Sequence, residues 1–354
     1  MGKTTICIPA YNASNTIGET LNSIINQTFS DLEIIVSDNY STDNTKEVVK
    51  EYEAKGVQTV TCPTLPVKTG SLLDNCTSSS QNWNSLINLG QGEFIGIYHA
   101  DDIYNSEIVH KQVCFLQEHK ECPAVFTMLK YIDTSGKEIQ PGWKKFFKDD
   151  YLMLDQPSLI DALAVHHHFF STSGVMLRRD AWRKAGKFDS HFGQALDTEF
   201  WIRISGIGPV GILNEPLVNY RISDTQDTAA WKKIYKYDYI PFLQVMNHYI
   251  FEKDLQKQLK NESLGHVKAL KYSEDIRIAL NWINSGNIEK AKEVTREIRG
   301  INLKKAGRFI LIREHRLILK MLLVKLLFLG KKMNYNSMIN FSQNRLIGLD
   351  PNYS

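Results

Sequence analysis

Long apolar runs are the first thing missing from these 354 residues. None approaches the roughly 18 consecutive apolar residues that a bilayer span requires. The opening stretch Met1-Gly2-Lys3-Thr4-Thr5-Ile6 has no signal-peptide core, and Ile6 breaks the acylation pattern that Gly2 would begin. A cytoplasmic location is therefore expected. Cysteine is scarce and odd in number, five residues without a CxxC pair, which excludes a disulfide framework and a zinc finger and fits a reducing compartment. An excess of one charge is lacking too: a net +3 is too mild for nucleic acid to be the partner. With 21 Gly, 10 Pro and 23% charged residues, collagen-like and disordered classes fall away. Gly2-Lys3-Thr4 is like the tail of a phosphate-binding loop, but the upstream glycine and strand are absent.

What is present is 43% hydrophobic residues, enough for about two domains with sizeable cores. Residues 5–8 form a short β-branched run stopping at Pro9. Asn12, Ser14 and Asn15 offer caps, and Ile17, Leu21, Ile24 and Ile25 recur at helical spacing. Strand and helix then alternate: strand 32–36, helix 44–54 with Val48, Val49 and Tyr52 inward, strand 57–61, helix 83–89 ending at Gly90, strand 94–98, helix 106–119. The stretch 62–80 is polar and unassigned. Strands at 124–131 and 174–177, helices at 180–185 and 198–205 and an extended segment 210–220 complete an α/β domain over residues 1–223 with a largely parallel sheet, whose ligands sit at the carboxyl ends of the strands. From 224 to 354 the pattern is helical, with helices 274–283 and 288–298 hinged at Ser285-Gly286.

Three acidic clusters stand out. Asp38 ends an apolar strand, where an Asx turn and helix cap would be its ordinary structural use. Asp101 and Asp102 follow His99-Ala100 at the end of another strand, where adjacent carboxylates repel unless a cation or hydrogen-bond donors compensate. Asp197 and Glu199 open a helix, where acids also complement the helix dipole. The run His166-His167-His168, read as a strand, would alternate faces and is more ordinarily packing or sugar contact than a metal site. Phe146, Phe147, Phe169 and Phe170 read as core or as walls of an acceptor site.

The order and spacing of these clusters resemble glycosyltransferase family 2, inverting enzymes of the bacterial cell-surface polysaccharide type with the GT-A fold. The resemblance runs from Thr5-Ile6-Cys7-Ile8-Pro9-Ala10-Tyr11-Asn12 through Val36-Ser37-Asp38-Asn39 and Tyr98-His99-Ala100-Asp101-Asp102 to Ser173-Gly174, Gly186-Lys187-Phe188-Asp189 and Asp197 to Trp201, about residues 4–222. It implies a nucleotide-diphospho-sugar transferase fold, a Rossmann-like mixed sheet flanked by helices, followed by an all-helical region. It implies a sugar moved from a nucleotide-diphosphate donor, a UDP-sugar by preference, to a hydroxyl of a glycan or lipid-linked glycan, with a divalent cation, Mn²⁺ or Mg²⁺, held by Asp101. Pro9, Ala10, Tyr11, Asn12, Asp38, Asn84, His99, Ala100 and Asp101 would bind the nucleotide. Asp102, Ser173, Gly174 and Trp201 would line the sugar and acceptor side, and Asp197 would be the base, with Glu199 as the alternative.

The chain departs from that pattern at His99, where an aspartate is usual, at Leu196, where a glutamate is usual, at Ser223, and at Asn82-Trp83-Asn84, where an arginine-asparagine pair is common. A nucleotide-sugar-binding protein with weakened or lost catalysis is therefore a second reading. A nucleotidyltransferase is a third, disfavoured because no glycine- and Arg/Lys-rich loop follows the first strand. Between 304 and 332, nine basic residues against Glu314 alternate with apolar ones, a pattern open to an anionic membrane surface, the protein's own core or a partner subunit.

Overall fold

The strands Thr4–Ala10 (β1) and Leu32–Asp38 (β2) are apolar on both faces, as strands covered by helices on either side must be. In this computed structural model, which describes residues 2–62, 72–139, 147–166, 169–223 and 238–294, they pair in parallel from Thr4↔Leu32 to Ala10↔Asp38. Val57–Thr61 (β3) joins β2 in parallel, and Phe94–Ile97 (β4) joins the other side of β1. Beyond β4 the sheet becomes mixed, with Ile103–Tyr104 (β5), Ala124–Ile132 (β6), Tyr151–Leu154 (β7), Val175–Arg178 (β8) and Val210–Arg221 (β9). The order among the described residues is β3-β2-β1-β4-β8-β6-β9-β5, with β7 on β9. This is the mixed sheet with flanking helices that the GT-A resemblance implies.

β1 does not stop at Pro9. The last β1–β4 pair is Cys7↔Ile97, so Pro9 lies where β4 no longer needs an N–H and the strand continues along β2. Because β1, β2 and β4 are parallel, Ala10, Asp38 and the turn after Ile97 leave the sheet at one edge.

Helix Ile17–Ile25 (α1) buries Ile17, Leu21 and Ile24 on the face that the i, i+4, i+7 spacing predicts. Each such side chain contributes about 1.5–3 kcal/mol, so Leu21→Asp would detach the helix. The second predicted helix is shorter, Thr45–Lys50 (α2), followed by a single tight turn. Leu72–Leu89 (α3) begins well before Trp83; its serine-, threonine- and asparagine-rich first half is a poor helix former in isolation and reads as loop in the sequence. Ile108–Glu118 (α4) follows.

Gln156–His166 (α5) and strands β5 and β7 are absent from the sequence reading. His166 thus closes a helix rather than lying in a strand, while Phe146, His167 and His168 fall outside the described residues. Arg179–Ala185 (α6) and Leu196–Ser205 (α7) match the predicted helices.

The chain divides into two compact units, Met1–Val267 and Lys268–Ser354. The first runs past Ser223 because Pro241–Asn247 (α8) buries Phe242, Leu243, Val245 and Met246, and Tyr249 just after it bonds to Glu199 of α7. Asn261–Asn284 (α9) extends from the first unit into the second. There Gly286, at φ 83°, turns the chain into Ile288–Val294 (α10), and Ala279, Ile283 and Ala291 make a small core. The basic stretch 304–332 lies outside the described residues.

Candidate active site

Two loops meet at the carboxyl edge of β1 and β2. Asn12 takes a left-handed φ of 48°, tolerated because its amide side chain bonds locally: its Oδ1 accepts from Thr42 N at 2.8 Å while its own N–H donates to Ser41 Oγ at 2.9 Å. Asp43 accepts from Ser14 N at 3.0 Å and from Thr45 N at 3.1 Å. Burial alone would raise the Asp43 carboxyl, but the bonds from Thr45 and Ser14 prevail and hold it at about 2. Asp38 is 1% exposed, with its carboxylate toward Ser41 N at 3.2 Å and Lys46 Nζ at 3.5 Å. Pro9 and Ala10 end β1 beside it, and Tyr11 projects at 59% exposure. These five residues lie together at the carboxyl edge of β1 and β2, Ala10 paired with Asp38 and Asn12 bonded to the loop after it.

The turn after β4 is gripped from three sides. From α1, Thr16 Oγ1 donates to Ala100 O at 3.0 Å and Thr20 Oγ1 to Asp102 O at 2.8 Å. From β9, Arg221 donates its backbone N–H to Asp102 Oδ1 at 2.8 Å and its Nε to Asp101 O at 2.9 Å. From the start of β8, Ser173 Oγ donates to Asp102 Oδ2 and bonds to Tyr104 Oη at 2.8 Å, and Tyr104 Oη accepts from His99 N at 2.6 Å. Asp102 is fully buried; burial and then the Asp101 charge push its carboxyl up to about 7, against the bonds from Ser173 and Arg221. His99, Asp101 and Asp102 each offer one ligand atom, all within 4.8 Å of one another. One nitrogen and two carboxylate oxygens form a donor set suited to Mn²⁺ or Mg²⁺ with positions left for substrate oxygens.

Asp197 stands in the first turn of α7, half-buried. Trp201 Nε1 donates to Thr172 Oγ1 at 2.9 Å, and that hydroxyl donates to Asp197 Oδ2 at 3.0 Å; Asp197 Oδ1 accepts from Thr198 N at 2.6 Å. Burial first, then the charges of Asp102 and Asp101 and, more weakly, Asp197, push the Tyr220 hydroxyl well up.

Five of the residues that the sequence assigns to the site carry structural contacts. Glu199 is 4% exposed and bidentate to Arg203, Oε2 at 2.7 Å and Oε1 at 2.9 Å, with Tyr249 Oη donating at 2.9 Å, so its oxygens are taken and face the packed side of α7. Asn84 clamps the Phe188 backbone, which donates its N–H to Oδ1 at 2.9 Å and accepts from Nδ2 at 3.1 Å. Trp201 is 1% exposed and donates its Nε1–H to Thr172. Ser173, also 1% exposed, bridges Asp102 and Tyr104. Gly174 is required by packing, since at φ 79° an added Cβ would lie 2.4 Å from Val218 Cγ2. Trp83 packs between two rings, tilted at 5.7 Å from His99 and edge-on at 5.1 Å from Phe188.

The family model described as Glycosyl transferase family 2 matches residues 5–186, just over half of the chain. The chain belongs to glycosyl transferase family 2. Chondroitin synthase of Escherichia coli is 26% identical over 270 residues, 76% of this chain and 34% of that protein. Hyaluronan synthase of Pasteurella multocida is 24% identical over 302 residues, 78% of this chain and 28% of that protein. The family 2 chain thus spans about a third of these curated relatives. The crystal structure of S. aureus TarS 1-349 in complex with UDP-GlcNAc superposes with a TM-score of 0.53 at 17% identity, covering 84% of this chain and 91% of that one, which fixes the shared GT-A fold.

Proposed function

We propose that this glycosyltransferase is metal-dependent and inverting, and moves a sugar from a nucleotide-diphosphate donor, a UDP-sugar by preference, to a hydroxyl of a polysaccharide or lipid-linked glycan destined for the cell surface. The observation that carries the reading is that adjacent residues join the two carboxylate groups, Thr172 donating to Asp197 Oδ2 at 3.0 Å and Ser173 to Asp102 Oδ2, beside the cluster of His99, Asp101 and Asp102. Support for the donor comes from TarS, whose structure holds UDP-GlcNAc, and for the product class from the chondroitin and hyaluronan synthases.

His99, Asp101 and Asp102 would hold the cation, which when bound supplies positive charge against the donor diphosphate and the charge left on it as it departs. Asp38 and the rim of Pro9 to Asn12 receive the base. Asp197 takes the proton of the acceptor hydroxyl: Thr172 and Thr198 fix its carboxylate by donating to it, and neither competes for the proton it must accept. Inversion by direct displacement is what the family 2 resemblance implies, with Asp197 as the base. Attachment to an anionic membrane through 304–332 belongs to the same reading, since lipid-linked acceptors lie there.

The test is a panel of nucleotide sugars assayed for hydrolysis and transfer with Mn²⁺, with Mg²⁺ and with chelator, on wild type and Asp101→Asn. Cation-dependent turnover that falls at least 100-fold in the variant supports the reading. Full activity in chelator overturns it, and donor binding without turnover favours a protein that has lost catalysis.

A further inference from the structure

At the opposite edge of the sheet, where β4 begins, an open pocket of about 600 Å³ is walled by Lys120, Arg178, Arg179 and Arg183, against the carboxylates of Glu93 and Asp180. We propose that this pocket binds a phosphoryl group, as a site separate from the carboxylate cleft.

Two of the four cations are held in place by backbone carbonyls, and the other two, Lys120 and Arg183, are exposed. Arg178 is pinned by carbonyls only: Nε donates to Cys122 O at 3.0 Å, Nη2 donates to His119 O at 3.2 Å and to Leu116 O, and the guanidinium lies over the Phe94 ring at 5.5 Å. Carbonyls orient a guanidinium without cancelling its charge. Arg179 repeats the device, with Nε donating to Gly92 O at 2.6 Å, while its Nη2 is out of solvent without a hydrogen-bond partner. Burial first and then the charge of Arg183 push the Arg179 guanidinium down, against a smaller pull from Cys7 and the Glu33 carboxylate. Of the two acids, Asp180 is drawn to Lys184 at 3.5 Å. Among the described residues, no ion pair of 4 Å or less joins Lys120, Arg178, Arg179 or Arg183 to a carboxylate.

A net excess of two cations held in a concave wall matches a dianion with several oxygens better than a carboxylate with one charge. The same phosphoryl chemistry is offered by a small soluble phosphate and by a lipid headgroup. β4 is parallel to β1, so its start and its end, where His99 follows, are opposite edges of the sheet. Occupancy here therefore leaves the cleft open.

The experiment measures binding to the full chain in chelator, where phosphates have no cation bridge to Asp101. Inorganic phosphate and pyrophosphate are titrated by calorimetry and thermal shift, and vesicles of phosphatidic acid in phosphatidylcholine are floated. Wild type and Asp101→Asn should bind alike, while Arg179→Gln/Arg183→Gln should bind about 100-fold more weakly, roughly tenfold for each cation removed. Because Arg179 is partly buried, Lys120→Gln, an exposed change that cannot unfold the chain, should weaken binding about tenfold by itself. Soluble phosphates responding to the variants identify a small solute, and vesicles alone responding identify a headgroup; both uphold the site. No binding by wild type, or equal binding by all variants, overturns it, as does loss in Asp101→Asn, which would assign the phosphate to the cleft.

Discussion

Arg221 holds Asp101 by its backbone carbonyl, Nε to O at 2.9 Å, and so fixes the turn that carries Asp101 and Asp102. The same guanidinium donates from Nη1 to Asp133 O at 3.2 Å and Thr134 O at 3.0 Å and pairs through Nη2 with Glu19 at 2.5 Å. One side chain from β9 therefore ties the turn to α1 and to the loop after β6. A lysine has the charge but lacks the planar fork and cannot reach these acceptors together. Arg221→Lys should lower stability by about 2–3 kcal/mol and raise the cation concentration needed for half-maximal turnover. Urea unfolding and a cation titration measure the two effects; an unchanged cation requirement would show that the clamp does not set the geometry of Asp101.

Asp197 and Glu199 separate cleanly. Asp197→Asn keeps the shape and the bond to Thr172 but cannot take a proton, so kcat should fall about 10²- to 10⁴-fold with donor affinity nearly unchanged. Glu199→Gln strips the charge partner of Arg203 in a buried pair; its cost should appear as about 2–3 kcal/mol of stability, with turnover of the folded fraction close to wild type. Single-turnover kinetics on folded protein decides it, and a dead Glu199→Gln beside an active Asp197→Asn would reverse the assignment.

The alternation of strands and helices was legible because parallel strands buried on both faces write continuous apolar runs, and the acidic turns that end them stand where ligands bind. Which of two acids faces the cleft was not. Positions 197 and 199 lie about 200° apart around a helix, and α7 is buried on nearly every side, so no polar face marks the open one. Asn84 is equally ambiguous, because an amide suited to a ligand is equally suited to the Phe188 backbone that takes it. The Arg221 clamp spans 120 residues of sequence and leaves no local trace.

Acidification should loosen the rim around Asn12. The Asp43 carboxyl is held at about 2 against an ordinary 3.8, so its charged form is favoured by the fold. A lowered value contributes stability that is present above the ordinary value and lost as pH falls through the folded one, here between about 4 and 2. The group is only partly buried, so after discounting for solvent screening the contribution is about 1 kcal/mol. Asp43→Asn should be less stable at pH 7 and should show a flatter loss of Tm between pH 4 and pH 2. Parallel acid limbs for variant and wild type would show that the loop bonds persist without the charge.

The last expectation concerns 304–332, where Arg313, Arg316 and Lys320 recur at helical spacing among Phe309, Ile310, Leu311 and the apolar run from Leu317. Each Lys or Arg near an anionic leaflet contributes on the order of 1 kcal/mol, and an apolar face adds burial, so several of them suffice for reversible attachment. Among the described residues no helix is long and apolar enough to cross a membrane. The full chain should co-sediment with anionic vesicles, raised salt should weaken this, and truncation before Lys304 should abolish most of it. A remainder that vanishes with Arg179→Gln/Arg183→Gln would come from the pocket at the start of β4. Equal sedimentation of truncated and full chains, insensitive to both changes, would instead mean that the basic stretch packs on protein and that neither surface meets the membrane.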